Sequence, residues 1–123
     1  SRASSIASFM VRPRYPDLPS EPVDDATIQR AFNEQRIWDR VRAGELTFEV
    51  VRDRIAPPEA QSGQPEGTRS QKVIITTRDG DFLARAHRYL RPGEDEVGGR
   101  PDPLRLVVPG KMLTRRKKVA PTD

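Results

Sequence analysis

The chain contains no cysteine. That absence excludes disulfide staples, cysteine-ligated zinc, iron–sulfur clusters and thiol nucleophiles within it. It carries one histidine, which excludes a polyhistidine metal site, and neither a metal nor a cofactor is expected. Long apolar runs are missing as well. No stretch approaches the about 18 to 20 residues that a membrane-spanning helix needs, so no membrane partner is expected. Ile6 to Val11 is too short and broken for a secretory core of about 7 to 15 apolar residues, and the expected setting is cytoplasmic. Hydrophobic residues make up 34% of the 123 and aromatics 6%, too few to pack a chain of this length throughout. Charged residues reach 33% and prolines number 12. This balance predicts a small folded core with polar arms.

The formal net charge is +4, and it is unevenly placed: residues 1–44 carry +1, 45–71 carry −2 and 72–123 carry +5. The excess lies in the C-terminal part. Arginine outnumbers lysine 18 to 4, and the planar guanidinium suits recognition of phosphate or carboxylate.

Prolines at 13, 16, 19 and 22 fix φ and favour extended backbone, so residues 1–22 read as a proline-rich arm. Asp24 is placed to cap a helix, with Val23 and Ile28 spaced as a hydrophobic staple. Ile28, Ala31, Phe32, Trp38 and Val41 form one apolar stripe, and Ala43-Gly44 supplies a stop. The spacing predicts a helix over 25–43, with Ile37 left on its far side. Leu46 to Ile55 alternates as a strand until Pro57-Pro58 ends it. Residues 56–71 offer almost nothing to bury and read as a mobile loop. Lys72–Arg78 and Asp81–Leu90 flank Asp79-Gly80, a strong hairpin signal. A two-residue loop would oppose Val73 to Ala86, Ile75 to Ala84 and Thr77 to Phe82. Leu104–Val108 and Lys111–Thr114 read as short strands around Pro109-Gly110, with Leu106 opposite Leu113 and Val107 opposite Met112.

These segments predict an α+β domain over 23–114. One N-terminal helix packs on a small antiparallel sheet of about four strands, with flexible arms and a basic tail over 115–123. Trp38 and Phe32 should be buried against Ile75, Ala84 or Phe82. A core of this size supplies only about 3 to 5 kcal/mol, which leaves room for a homo-oligomer or a bound partner.

Arg85, His87, Tyr89 and Arg91 fall on one side of a strand, about 6.6 Å apart at each step. Together with Arg88 and the tail residues Arg115, Arg116, Lys117 and Lys118, they are the candidate nucleic-acid-binding residues, since polyanion binding asks first for charge. Arg85, His87, Tyr89 and Arg91 are also the candidate catalytic set of a metal-independent ribonuclease. In that case the arginines hold a phosphate diester while His87 or Tyr89 moves a proton. Other motifs fail: there is no phosphate-binding glycine loop, no paired-histidine helix and no nucleophile elbow.

The segment from His87 to Gly93, continued by Gly98 to Pro103, resembles one found in a family of small uncharacterised bacterial proteins, and no activity comes with that resemblance. A helix followed by antiparallel strands with a basic face is similar to the RelE/ParE-like toxin fold. That likeness implies cleavage of ribosome-bound messenger RNA by basic and aromatic side chains, in a toxin–antitoxin setting. The leading expectation is a non-enzymatic bacterial module that binds RNA, DNA or a larger protein assembly. A ribonuclease and a structural adaptor strapped into an oligomer by its proline-rich arm are the alternatives.

Overall fold

The computed structural model describes residues 12–94 and 100–116. In chain order the elements are β1 (Ser20–Val23), α1 (Asp25–Glu34), α2 (Ile37–Arg42), β2 (Leu46–Ile55), α3 (Glu59–Ser62), β3 (Arg69–Thr77), β4 (Phe82–Leu90), β5 (Asp102–Val108) and β6 (Lys111–Arg115). The strands make one six-stranded sheet in the order β1-β6-β5-β4-β3-β2. β2 to β6 run as an antiparallel meander, and β1 joins β6 in parallel. The link from β1 to β2 must therefore cross from one edge of the sheet to the other. It does so as α1 and α2, with α1 laid on β5 and β6 and α2 on β2. No helix among the described residues is long and apolar enough to cross a membrane.

The expectation of one helix on about four antiparallel strands with flexible arms is corrected on three points. First, the helix over 25–43 is two. α1 starts where Asp24 accepts from the Thr27 amide at 2.8 Å, as its capping position predicts. It ends at Gln35, and Arg36 then turns left-handed with φ 54°. The break rotates everything after it. Ile37, off the stripe of a continuous helix, is 0% exposed beside buried Trp38 and Val41.

Second, the sheet has six strands because the end of the proline-rich arm is one of them. The Met112 amide donates to the Pro19 carbonyl at 2.8 Å and the Arg116 amide to the Val23 carbonyl at 2.7 Å. Pro22 is tolerated because β1 is an edge strand. A parallel partner so distant in sequence leaves no local period to read. Upstream of β1, the Arg14 amide donates to the Gly80 carbonyl and the Arg14 carbonyl accepts from the Phe82 amide, both at 2.9 Å. Tyr15 stacks on Phe82 with ring centroids 4.7 Å apart. The arm is thus fastened to the hairpin tip and to β6 from Arg14 onward. Third, the segment 56–71 contains the single turn α3, stopped at Gly63 with φ 71°, and the start of β3. Arg69, Ser70 and Gln71 enter a strand without any apolar alternation to announce it.

The hairpin keeps the predicted pairs Val73–Ala86 and Ile75–Ala84. It departs from prediction at its tip. The Thr77 amide bonds the Asp81 carbonyl at 2.9 Å, Gly80 takes φ 96°, and Thr76 rather than Thr77 pairs with Phe82. The loop is therefore one residue longer than a two-residue turn, a geometry built on a left-handed glycine. Leu83 is the extra residue that restores the register. Phe82 consequently stays out of the cluster under the helices and is covered by Tyr15. The β5–β6 pairs Leu106–Leu113 and Val107–Met112 form as their spacing predicts.

Register and alternation sort the sheet into two faces. Under the helices lie the rows Phe48–Ile75–Ala84–Leu106–Leu113 and Val50–Val73–Ala86–Pro103. Ile28, Phe32, Ile37 and Trp38 close over them in one apolar cluster. The next row on that side is Asp53–Gln71–Arg88. The opposite face carries no described helix, and its side chains define the site.

Candidate functional site

Alternation, reset by bulges after Val50 in β2 and between Pro103 and Arg105 in β5, sends one set of residues of β2 to β5 to the open face. Registered across the strands, these make three rows: Glu49–Ile74–Arg85–Arg105, Arg52–Lys72–His87–Asp102, and Arg54–Ser70–Tyr89. Arg52, Arg54, Lys72, Arg85 and Arg105 outnumber Glu49 and Asp102, and among the described residues none of those cations enters an ion pair. Elsewhere the pattern is mixed: Arg30 and Arg78 also stand outside any ion pair among the described residues, whereas others are paired. Arg14 pairs with Asp81 at 2.9 Å, Arg69 with Asp53 at 2.8 Å and Lys111 with Glu21 at 2.6 Å.

The crowding registers on Lys72 at its centre. Partial burial among its neighbours lowers the affinity of its ammonium for a proton, and the positive charges of Arg52, Arg85, Arg54 and Arg115 lower it further. An anion laid on this face favours the charged ammonium and offsets the neighbouring positive charges.

His87 stands beside Lys72 in the same row. Its Nε2 shares a hydrogen bond with the Ser70 Oγ at 2.8 Å, and its ring meets Tyr89 edge to face, with centroids 4.8 Å apart and planes at 89°. Burial pushes the imidazole below its ordinary range. The charges of Lys72 and Arg115 act in the same direction, and Asp102 opposes them. The ring is therefore neutral at pH 7, able to accept a proton. Asp102 acts on it by charge alone, without a hydrogen bond to orient the imidazole, so Ser70, His87 and Asp102 do not make a nucleophile triad.

The sequence-predicted residues separate. Arg85, His87 and Tyr89 come together on the open face. Arg88 does not: it is 2% exposed on the helix side. There its guanidinium donates to Gln71 Oε1 at 2.9 Å and lies 5.6 Å from the Trp38 ring centroid and 5.3 Å from that of Phe48. Below it Asp53 is held under the usual carboxylate range, first by its hydrogen bond from Arg69. Arg88 is a structural cation and offers nothing to a ligand on the open face.

Arg91 lies past the end of β4, bonded to Gln64 Oε1 at 3.0 Å. Arg115 on β6 is exposed with its Nε 3.7 Å from Asp25 Oδ1, and Arg116 follows it, exposed. Lys117 and Lys118, residues 1–11 of the arm and 95–99 of the acidic loop lie outside the described residues.

Sequence reasoning missed Arg52, Arg54, Lys72, Arg105 and Ser70. Lys72, Ser70 and Arg105 have the right parity within their strands, whereas Arg52 and Arg54 share the parity of Phe48 and Val50 and reach the open face only through the bulge after Val50. The strand order then puts all five beside Arg85, His87 and Tyr89.

A groove of about 300 Å³ lined by Gln35, Arg36, Arg40 and Glu45 opens at the break between α1 and α2. Its lining shares no residue with the basic face. No protein-family model, no curated protein and no solved structure matches the chain.

His87 is the only histidine in the chain, so its titration can be read in stability. In the unfolded chain it protonates near pH 6.5, and in the fold only at lower pH. The unfolded state therefore binds more protons in that window. Stability should be complete above the ordinary histidine range and fall as pH drops through it. Urea melts of the parent between pH 7.5 and 5 should show this decline, and His87→Gln should flatten it. Equal slopes in parent and variant would refute the assignment.

Proposed function

We propose that this chain is a small, basic, non-enzymatic binding module of the cytoplasm whose open sheet face takes nucleic acid. The observation that supports this most is the cluster of Arg52, Arg54, Lys72, Arg85 and Arg105, unpaired among the described residues, around His87 and Tyr89. A structural face gains nothing from setting these cations side by side without counter-charge, and beyond the effect of its partial burial the proton affinity of Lys72 is held low by Arg52, Arg85 and Arg54 around it. A polyanion supplies the missing counter-charge, and its own counterions, released on binding, favour the complex. Cations spread over four adjoining strands suit an extended polymer better than a small molecule, which seeks a concave pocket.

The test is a fluorescence anisotropy titration of a labelled oligonucleotide at rising salt. Neutralising about three to five phosphates of a single strand at about −0.7 each gives a log–log slope of about −2 to −3.5. Salt-independent affinity, or no binding at low salt, overturns the reading and leaves an acidic protein surface as the partner to seek.

Neutral His87, with Tyr89 and Arg85 beside it, favours one second reading, the metal-independent ribonuclease. RNA cut in the presence of chelator, and spared by His87→Gln at unchanged stability, would replace the binding module with that enzyme.

A further inference from the structure

Resting on the nucleic-acid reading of the open face, we infer that the ligand is single-stranded and that at least one of its bases stacks on the aromatic pair Tyr89–His87. Three observations lead there.

The aromatic rings sit on the same face as the cations, in adjoining rows. Lys72 and His87 are register partners, as are Ser70 and Tyr89. A strand running over β3 and β4 meets charge and a ring plane within one residue step, the combination that single-strand platforms use. The rings are also held in place before any ligand arrives. Ser70 Oγ bonds His87 Nε2 at 2.8 Å, and the two rings stand at 89° to each other. A pre-set platform loses little side-chain freedom when a base lands on it.

The shape of the face excludes the alternative of base reading in a duplex. The major groove admits a helix or a narrow two-stranded ribbon, whereas this face spans four adjoining strands of a six-stranded sheet. A duplex could rest on it only through backbone phosphates, leaving Tyr89 and His87 without a partner. A single strand turns its bases outward and uses both kinds of group. Ile74, half-buried between Glu49 and Arg85 in the neighbouring row, adds apolar surface for a second base.

The closing experiment compares three probes at one salt concentration: fifteen-residue oligo(U) or oligo(dT), a duplex of the same length, and inorganic polyphosphate. Tyr89→Phe keeps the ring. Tyr89→Leu keeps bulk and strand propensity but removes the stacking plane, so its fold should survive, as a melting curve verifies. The single strand should bind about tenfold or more tightly than the duplex. Tyr89→Leu should weaken single-strand binding by about tenfold while leaving polyphosphate binding unchanged, and Tyr89→Phe should match the parent. Tyr89 and His87 ring protons should move upfield with oligo(U) and not with polyphosphate. Equal losses for oligo(U) and polyphosphate in Tyr89→Leu, or a duplex bound as tightly as the single strand, overturn the stacking inference while the nucleic-acid reading stands. If Lys72→Glu changes binding to none of the three probes, the reading of the face itself has failed.

Discussion

Trp38→Ala should lower the stability of the domain by about 3 to 5 kcal/mol, enough to unfold much of the population at 37 °C. Trp38 is 2% exposed in α2, where it belongs to the apolar cluster that includes Ile75 and Ala84 and meets Phe48 edge to face at 5.4 Å. It also forms part of the lining around the Arg88 guanidinium. Truncation therefore opens a cavity and lets water reach a buried cation, and the two losses fall on the same site. Trp38→Phe retains an aromatic wall and should lose less. Urea melts decide the matter: an unchanged midpoint for Trp38→Ala would contradict the packing of α2 on the sheet.

The second large effect concerns binding. Lys72→Glu with Arg85→Glu removes two central cations and sets carboxylates where phosphates would lie. Affinity for an oligonucleotide at low salt should fall on the order of 100-fold. Stability should rise or stay unchanged, because Lys72 faces like charges and a carboxylate there gains Arg52, Arg54 and Arg115 as partners. Arg30→Glu with Arg78→Glu makes the same change in net charge on α1 and the hairpin turn, away from the open face, and should weaken binding far less. Equal losses from both doubles would mean that net charge, not the face, attracts the ligand. A double reversal that melts earlier would mean that the cations are structural.

Much of the fold is legible where the signal is local. Asp24 caps α1, Leu46 to Ile55 is a strand, and Val73–Ala86 and Leu106–Leu113 pair, because turn chemistry and alternation act over a few residues. The failures share a physical cause as well. Nothing in the side chain of Arg36 signals a left-handed residue, and the only trace of the helix break is Ile37, an apolar residue stranded on the polar side of a continuous helix. β1 pairs in parallel with the far end of the chain, so its four residues carry no pattern of their own. The bulge at Leu83 moves Phe82 away from the helices, a shift invisible until Thr77 closes the loop on Asp81.

The site was half legible. Arg85, His87 and Tyr89 follow from alternation alone. The same alternation already set Arg88 with Ala84 and Ala86 on the buried side, a parity that its positive charge concealed. Arg52, Arg54, Lys72 and Arg105 belong to three other strands, and their convergence is a property of strand order and, for Arg52 and Arg54, of the bulge after Val50, neither of which a local window shows.

The most direct measurement of the central claim is an oligonucleotide titration followed residue by residue in amide and aromatic NMR spectra. The open-face account predicts shifts concentrated at Arg52, Lys72, Arg85, His87, Tyr89 and Arg105, with α1 and α2 unmoved. Shifts centred on residues 25–42, or none at concentrations that saturate binding, would contradict it.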